Sequence, residues 1–223
     1  MIKIENEKVY GWKPAIRGMR NSYNSWDKSD SYGMDEDFRI GPNDYKLMLK
    51  LAKSGPSHAK FRRMIIVYCD VTAPLYWWKE MDTHKVGTVC NSCSTMHKIA
   101  DKKFTLEDFS HEHLSPLGIN ALNYTINTIN YNRDFYLKLK EKDYWWDMIQ
   151  LLPTSYNQRR TIMINYEVLA NIYKDRKSHK LDEWVDFCEW IEGLPYSELI
   201  TLKSPKSDTI DLEWTNGSIE TEG

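Results

Sequence analysis

The chain has no long hydrophobic run. Among its 223 residues, no apolar stretch approaches the ~20 residues that a helix needs to cross a bilayer. The opening residues, MIKIENEKVY, lack the basic start and apolar centre of a signal peptide. We therefore predict a cytoplasmic protein with no membrane partner.

Net charge and cysteine are also scarce. The formal net charge is −2, so no overall positive field attracts DNA or RNA, and we predict no nucleic-acid partner. Four cysteines are too few for a disulfide scaffold in a chain of this length. They fit a reducing compartment.

Aromatic residues are abundant instead. Nine tryptophans and fourteen tyrosines suit a packed core, subunit interfaces and planar ligands. The length fits one domain, which we predict over residues 1–203, followed by a polar, flexible tail over 204–223. The pattern of elements, without internal repeats, predicts an α+β fold with a central sheet and a helical majority.

Local patterns predict where several elements begin. Asn43-Asp44 offers an N-cap for a helix that stops at Ser54-Gly55-Pro56. Residues 61–71, FRRMIIVYCDV, have the β-branched and aromatic content of a strand. Pro74 suits the first position of the next helix. Ser115-Pro116 suits the start of a long helix with apolar residues at three-to-four spacing.

The most informative segment is Thr72–His97, TAPLYWWKEMDTHKVGTVCNSCSTMH, here called the signature segment. Its aromatic helix runs into a cluster of polar residues, a combination that suits a planar-ligand site. The order resembles the signature of the flavin-dependent thymidylate synthases, in which an Ala-Pro helix leads to Arg-His-Arg, Ser, Asn-Glu and Ser-x-Arg-Tyr. The matching residues are Thr83-His84-Lys85, Thr88, Asn91-Ser92 and Ser94-Thr95-Met96-His97.

Two further segments resemble the same family. Leu151–Trp184 is similar to its Leu-Pro, Tyr-Thr and Thr-x-Asn motifs and to a helix that ends in Arg and His. The matching residues are Leu152-Pro153, Tyr156-Asn157, Thr161, Asn165, Arg176 and His179. Ala15–Tyr23, AIRGMRNSY, resembles the early Ala-x-Arg-x-x-x-x-Ser segment. The three matches lie in family order and predict the flavin-dependent thymidylate synthase fold.

The resemblance implies an enzyme whose cofactor carries the redox chemistry. It implies FAD as the cofactor, NADPH as the hydride source and methylenetetrahydrofolate as the carbon donor. The implied reaction is reductive methylation, or a related one-carbon transfer, at C5 of a pyrimidine deoxynucleotide, most simply dUMP. The implied assembly is a homotetramer with active sites at subunit interfaces.

The resemblance also assigns roles by position. Arg176 would contact and activate the pyrimidine through its fixed charge and paired donors. Cofactor contacts fall to His58, His84, Lys85, Thr88, Asn91, Asn165 and His179. Nucleotide contacts fall to Lys79, Glu80, Ser94 and Arg176. Read locally, Asn165 is instead an N-cap, Arg176 offsets the dipole at a helix end, and His179 is a C-terminal cap residue.

Several family arginines are missing. Thr83, Met96 and Ile149 (or Gln150) stand where the resemblance expects arginine. Each charge-assisted bond contributes about 1.5–3 kcal/mol. Losing two or three of them weakens dUMP binding by orders of magnitude unless other residues compensate. A second hypothesis therefore stays open: a non-catalytic relative that keeps the fold and binds a nucleotide or a protein.

A third hypothesis comes from the cysteines. Cys90-x-x-Cys93, with His97 and the His111-x-His113 pair, has ligand types that suit zinc. A single CxxC without a second close pair is a weak signal. The cysteines equally fit small packing residues beside the site, and we assign no metal ligand.

Overall fold

The computed structural model of the protein describes residues 2–34 and 38–204. Almost all of the predicted tail, 204–223, therefore lies outside the described residues. The strands of the described chain are Lys3–Tyr10 (β1), Ile66–Pro74 (β2), Thr88–Ser92 (β3) and Asn157–Asn165 (β4). Its α-helices are Trp12–Arg20 (α1), Pro42–Lys53 (α2), Leu75–Met81 (α3), Thr95–Lys98 (α4), Pro116–Leu139 (α5), Lys142–Gln150 (α6), Tyr166–Arg176 (α7), Asp182–Gly193 (α8) and Glu198–Thr201 (α9).

The strands form one antiparallel sheet in the order β1-β2-β4-β3. Alternate side chains of the central strands, including Val67, Val71 and Ile162, are fully buried on one face. β3 pairs with β4, with Thr88 opposite Ile164. The sheet therefore brings the signature segment beside the second matching segment, although the two are far apart in sequence.

The two adjacent tryptophans of α3 belong to the core. Trp77 and Trp78 are both completely buried. The ring of Trp77 packs on Trp184 of α8 with centroids 4.8 Å apart, and Trp78 donates its indole N–H to the carbonyl of Gln158 at 2.9 Å. Burying such large rings removes much apolar surface from water, so their main role is to hold α3 against the sheet and α8.

α5 and α6 share a second, smaller core. Leu122, Ile126 and Ile129 of α5 pack with Met148 of α6 and with Phe109. These α5 positions recur at three-to-four spacing, which places them on one helix face. The predicted start of α5 is confirmed, because Ser115 accepts the backbone N–H of Gly118 as N-cap.

Two buried ion pairs connect elements that are distant in sequence. Arg20 of α1 bonds to Asp44 of α2, with Nε 2.6 Å from Oδ1. Arg62, in a 3-10 helix over Ala59–Met64, donates to Glu167 of α7 at 2.8 Å. Less than a tenth of each side chain is exposed. Removing one partner would therefore leave an unpaired buried charge.

Three predicted boundaries were wrong. Gly41 is the N-cap of α2, because Asp44 is drawn inward by Arg20 instead of capping the helix. The predicted strand over 61–71 begins only at Ile66, after the 3-10 helix. Pro74 ends β2 and precedes α3 as its N-cap.

The predicted α+β class, with a central sheet and a helical majority, is confirmed. Within the described ranges, no helix is both long enough and apolar enough to cross a membrane. The single-domain assignment over 1–203 stays a prediction.

Candidate functional site

A cavity of about 720 Å³ opens beside α3 and the end of α7. Ligand pockets commonly have volumes of about 300–1,000 Å³, so it can take a nucleotide-sized molecule. We call it the Arg176 cavity. Its lining residues are Leu75, Tyr76, Lys79, Glu80, Thr83, Thr154, Arg176 and His179.

Arg176, the last residue of α7, is held on two sides. Its Nη1 lies 3.0 Å from Oε2 of Glu80, and its guanidinium carbon lies 5.0 Å from the centroid of the Trp184 ring. Its Nε is buried and has no hydrogen-bond partner among the described residues. The guanidinium is thus oriented by one carboxylate and one aromatic face while keeping donors for a ligand.

Glu80 positions two side chains at once. Its Oε2 accepts the indole N–H of Trp184 at 3.0 Å as well as the bond from Arg176. Nε2 of His179 lies 3.7 Å from the same oxygen. Because Trp184 is completely buried, its N–H depends on this carboxylate for a partner.

Two histidines lie against the same tryptophan. The ring of His84 is 6.0 Å from Trp184, and its Nε2 is buried without a partner in the described chain. Burial, together with the charge of Arg176, lowers the pKa of His84, so its ring is neutral near pH 7. His179 accepts the backbone N–H of Leu181 on Nδ1 at 3.2 Å. In its neutral form it therefore carries its proton on Nε2, on the side of Glu80.

Asn165 joins the signature segment to the start of α7. Its Oδ1 accepts the backbone N–H groups of Glu167 and Val168 at 3.1 and 3.0 Å, and its Nδ2 donates to the carbonyl of Gly87 at 3.4 Å. Gly87 has φ +84°, and a Cβ there would lie 2.5 Å from Nδ2 of Asn165. The next residue, Thr88, has a buried hydroxyl without a partner among the described residues. The predicted N-cap role of Asn165 is confirmed.

The chain matches no protein-family model and no curated protein sequence, but it resembles solved structures. Thymidylate synthase X from Helicobacter pylori, solved with FAD and dUMP, superposes with a TM-score of 0.66 at 16% identity, over 90% of this chain and 98% of that one. A second structure of the Helicobacter pylori enzyme with the same ligands has the same TM-score and identity, over 89% of this chain and 98% of that one. The UMP/dUMP methylase PolB from Streptomyces cacaoi, bound with 5-Br dUMP, superposes at 0.56 with 13% identity, over 86% and 88%.

The chain has the flavin-dependent thymidylate synthase fold. The fold predicted from the three ordered matches is therefore confirmed across nearly the whole length of these enzymes. In this synthase fold, the Arg176 cavity gathers four of the predicted ligand residues: Lys79, Glu80, Arg176 and His179. His84 lies behind it against Trp184, and Thr88 and Asn165 lie together at the Gly87 turn.

Other predicted ligand residues lie apart from the cavity lining. His58 is exposed at the start of the 3-10 helix. Asn91 is exposed on β3, opposite Thr161, and Lys85 is exposed in the turn before β3. Ser94 is the N-cap of α4 and accepts the backbone N–H of His97 at 3.2 Å. The ligand roles of these residues stay predictions.

The positions of the missing arginines have different surroundings in this synthase fold. Thr83 lines the Arg176 cavity and donates its hydroxyl to the carbonyl of Glu80 at 2.7 Å. Met96 is about half exposed. Ile149 packs against the second core with α5. These three positions therefore bring no charge of their own to a ligand.

The described residues do not provide the ligand set that the zinc hypothesis needs. Among the described residues, no group of three or more His, Cys, Asp or Glu side chains could hold a metal ion. Cys90 lies within β3 and Cys93 just beyond its end. Along an extended chain, side chains three positions apart point to opposite faces, so the pair does not converge as it would in a turn.

Sequence reasoning missed Trp184. It contacts Glu80, Arg176 and the rings of His84 and Trp77, yet nothing in LDEW separates it from the eight other tryptophans of the chain. Sequence reasoning also missed Tyr76, which lines the cavity and donates its hydroxyl to Glu183. Burial, first of all, raises the pKa of Tyr76, so this phenol stays protonated.

Proposed function

We propose that the chain is a flavin-dependent enzyme that modifies C5 of a pyrimidine deoxynucleotide, most simply dUMP. Solved structures of this fold support the proposal, because two of them carry FAD with dUMP and a third carries 5-Br dUMP. The observation that carries it is local. Arg176, His84 and Thr88 each have a buried polar atom without a partner in the described chain, and all three are residues to which the resemblance gives ligand contacts.

The residues present fit FAD. A buried polar atom left without a partner costs about 1–3 kcal/mol, so Nε2 of His84 and the hydroxyl of Thr88 favour a ligand with donors and acceptors. His84, Thr88, Asn165 and His179 would hold the cofactor, with Lys85 adding charge from the adjacent turn. When bound, FAD supplies the redox chemistry that no side chain of the protein can provide.

Arg176 would bind and polarise the pyrimidine. Glu80 occupies one end of its guanidinium and Trp184 supports one face, so the direction of the remaining donors is set before the nucleotide arrives. Such preorganised charge is most effective where water is excluded. NADPH as the hydride source and methylenetetrahydrofolate as the carbon donor remain part of the proposal through the resemblance.

We also propose a homotetramer, supported by an exposed face of α5. Leu117, Tyr124 and Tyr131 recur every seven residues on this helix and are between 58% and 79% exposed. Such a seven-residue stripe suits packing against another helix. A second copy of the chain is the partner that the family resemblance implies.

The four cysteines are all unpaired, and the cytoplasmic location stays a prediction.

The first experiment is the visible spectrum of the full chain, alone and with added FAD, followed by titration with dUMP. We expect a bound-flavin spectrum that dUMP perturbs. Arg176→Ala should weaken the dUMP effect at least tenfold, because a charge-assisted contact of about 1.5–3 kcal/mol is lost. The matched control is Lys174→Ala, an exposed residue of the same helix turn, which should change little. A chain that binds neither FAD nor dUMP refutes the proposal.

The second candidate is the non-catalytic relative. The uncharged side chains of Met96 and Ile149 favour it, because they stand where the resemblance expects arginines. Stopped-flow oxidation of the reduced flavin in the presence of dUMP and methylenetetrahydrofolate separates the two candidates. An enzyme re-oxidises its flavin anaerobically and modifies C5, whereas a binding protein shows ligand-induced spectral shifts without turnover.

A further inference from the structure

Arg160 of β4 lies beside the part of the signature segment that carries most of the predicted cofactor contacts. Residues 83–92, here called the ligand stretch, begin directly after Asp82 and end with β3. In the sheet, Arg160 is the register partner of Ser92, the last residue of β3. Neither the resemblance nor the predicted ligand set assigns Arg160 a function. The predicted cofactor contacts within the stretch are His84, Lys85, Thr88 and Asn91.

One end of the Arg160 guanidinium holds the start of the ligand stretch. Its Nη1 donates to Oδ1 of Asp82 at 2.8 Å. Asp82 is the C-cap of α3, and its backbone N–H donates to the carbonyl of Trp78 at 2.8 Å. The ion pair therefore attaches the end of α3, from which the stretch departs, to the sheet.

A second bond from the same guanidinium leads to the other end of the stretch. Nε of Arg160 donates to Oε1 of Gln158 at 3.0 Å. The side-chain nitrogen of Gln158 donates in turn to the carbonyl of Cys93 and to the hydroxyl of Thr95, both at 3.1 Å. One guanidinium is thus connected to both ends of the ligand stretch, directly at Asp82 and through Gln158 at the far end.

The aromatic core sets the orientation of this guanidinium. Its central carbon lies 4.3 Å from the centroid of the Trp78 ring, and Trp78 is completely buried. The Arg160 side chain is only 15% exposed, so water competes little for its donors. An arginine can stack on a ring and donate in two fixed directions at once, whereas a lysine ammonium is a single point charge. The connection therefore depends on arginine in particular.

The ligand stretch gains little order from burial. β3 is a five-residue strand at the edge of the sheet, and four of its residues are exposed. Near the middle of the stretch, the carbonyl of Gly87 accepts a bond from Asn165 at 3.4 Å, which is long for a hydrogen bond. A segment with few buried contacts opens easily on its own. The contacts at its two ends therefore decide how firmly the stretch is held.

We propose that Arg160 is a positioning residue for cofactor binding. It holds both ends of the ligand stretch and thereby keeps His84 and Thr88 in place for the flavin, so this inference rests on the proposed function. Arg160 acts through Asp82 and Gln158 and does not need to contact the flavin. Because Asp82 is about half exposed, the ion pair contributes little to global stability. Its loss should instead appear in the local order of the stretch and in the affinity for FAD.

The first test is the FAD affinity of the full chain, measured from the flavin spectrum. Arg160→Met keeps an apolar stem over Trp78 but has no donors, and it should weaken FAD binding by about tenfold or more. Arg160→Lys can still pair with Asp82 and should recover part of that loss. The matched control is Arg159→Met, because Arg159 points to the opposite face of β4 and pairs with Asp70 at 2.6 Å. This control should bind FAD as the unmodified chain does.

Two further measurements separate this role from a general loss of structure. Hydrogen exchange of the amides in residues 83–92 should become faster in Arg160→Met but not in Arg159→Met, while both variants melt close to the unmodified chain. Gln158→Ala should also weaken FAD binding. Adding Gln158→Ala to Arg160→Met should weaken it little further, because both changes break the same connection.

Three results would overturn the proposal: equal FAD affinity in Arg160→Met and the unmodified chain, unchanged hydrogen exchange in the ligand stretch, or additive losses in the double variant. An unmodified chain that binds no FAD refutes the proposed function, and this positioning role with it. If the unmodified chain binds FAD and Arg160→Met binds it equally well, only the positioning role is refuted. The two failures are therefore distinguishable.

Discussion

Replacing Glu80 tests how the Arg176 cavity is organised. The variant Glu80→Gln keeps an oxygen that can accept the indole N–H of Trp184 but removes the charge that pairs with Arg176. The variant Glu80→Ala removes both. Comparing the two separates the ion pair from the buried hydrogen bond.

The structure gives the expected loss of stability for each of the two variants. The side chains of Arg176 and Glu80 are 23% and 35% exposed, so solvent screens their attraction and its loss should cost about 1 kcal/mol or less. Trp184 is completely buried, so an unpaired N–H there should cost about 1–3 kcal/mol more. For a chain of this size, 1 kcal/mol shifts the melting temperature by about 2–4 °C.

Thermal and urea unfolding measure both variants. Asp82→Asn and Asp82→Ala are the matched controls, since Asp82 is about half exposed, pairs with Arg160 at 2.8 Å and forms no ion pair with Arg176. We expect Glu80→Ala to be clearly less stable than Glu80→Gln, with both controls close to the unmodified chain. If Glu80→Ala and Glu80→Gln unfold alike, Trp184 does not depend on this carboxylate, and the described organisation of the cavity is wrong.

Three further predictions concern protonation, thiols and a buried ion pair. Burial lowers the pKa of His84 below its ordinary 6.5, so below that pH the unfolded chain takes up a proton that the folded chain does not. Stability should therefore fall on acidification. The fall in urea midpoint from about pH 7 to about pH 5.5 should be smaller in His84→Gln than in the unmodified chain. Equal falls in the two proteins would show that His84 is not the source of this pH dependence. A thiol reagent should label exposed Cys90 and Cys93 in the native protein but not the other two cysteines, whose pKa burial raises. Cys93 should react first because burial also raises the pKa of Cys90, and labelling of more than two native thiols would contradict this. Glu167→Gln leaves Arg62 buried with its charge unpaired and should cost about 3–5 kcal/mol by urea unfolding. Arg62→Met with Glu167→Leu should recover most of that loss, and a cost below about 1 kcal/mol for Glu167→Gln alone would show that the charge is relieved elsewhere.

Sequence patterns located the elements whose own side chains specify them. α5 was predicted because its apolar residues recur on one face after Ser115-Pro116, and β2 because its residues are β-branched and aromatic. The side chains of β1 do not specify a strand by themselves. KIENEKVY carries charges on both faces and lies at the sheet edge, so pairing with β2 supplies most of its stability. Asp44 shows the same limit, because only the partner Arg20 explains its burial.

Part of the candidate site could also be predicted from the sequence. The order of motifs indicated that the signature segment and the end of α7 belong together, and the structure places Glu80, Arg176 and His179 around one cavity. Trp184 could not be found this way, since its contact with Arg176 arises only when α8 folds back against α7 and α3.

The amide of Asn165 has a consequence for exchange with solvent. One planar group accepts the first N–H groups of α7 and donates to Gly87, so rotating it to release the Gly87 turn also exposes those N–H groups. The hydrogen-exchange rates of the Glu167 and Val168 amides therefore report how often the Gly87 turn separates from Asn165. A ligand that binds to the Gly87 turn and holds it in place should slow both exchange rates without touching either amide. The exchange rates at the start of α7 would then report whether the ligand is bound.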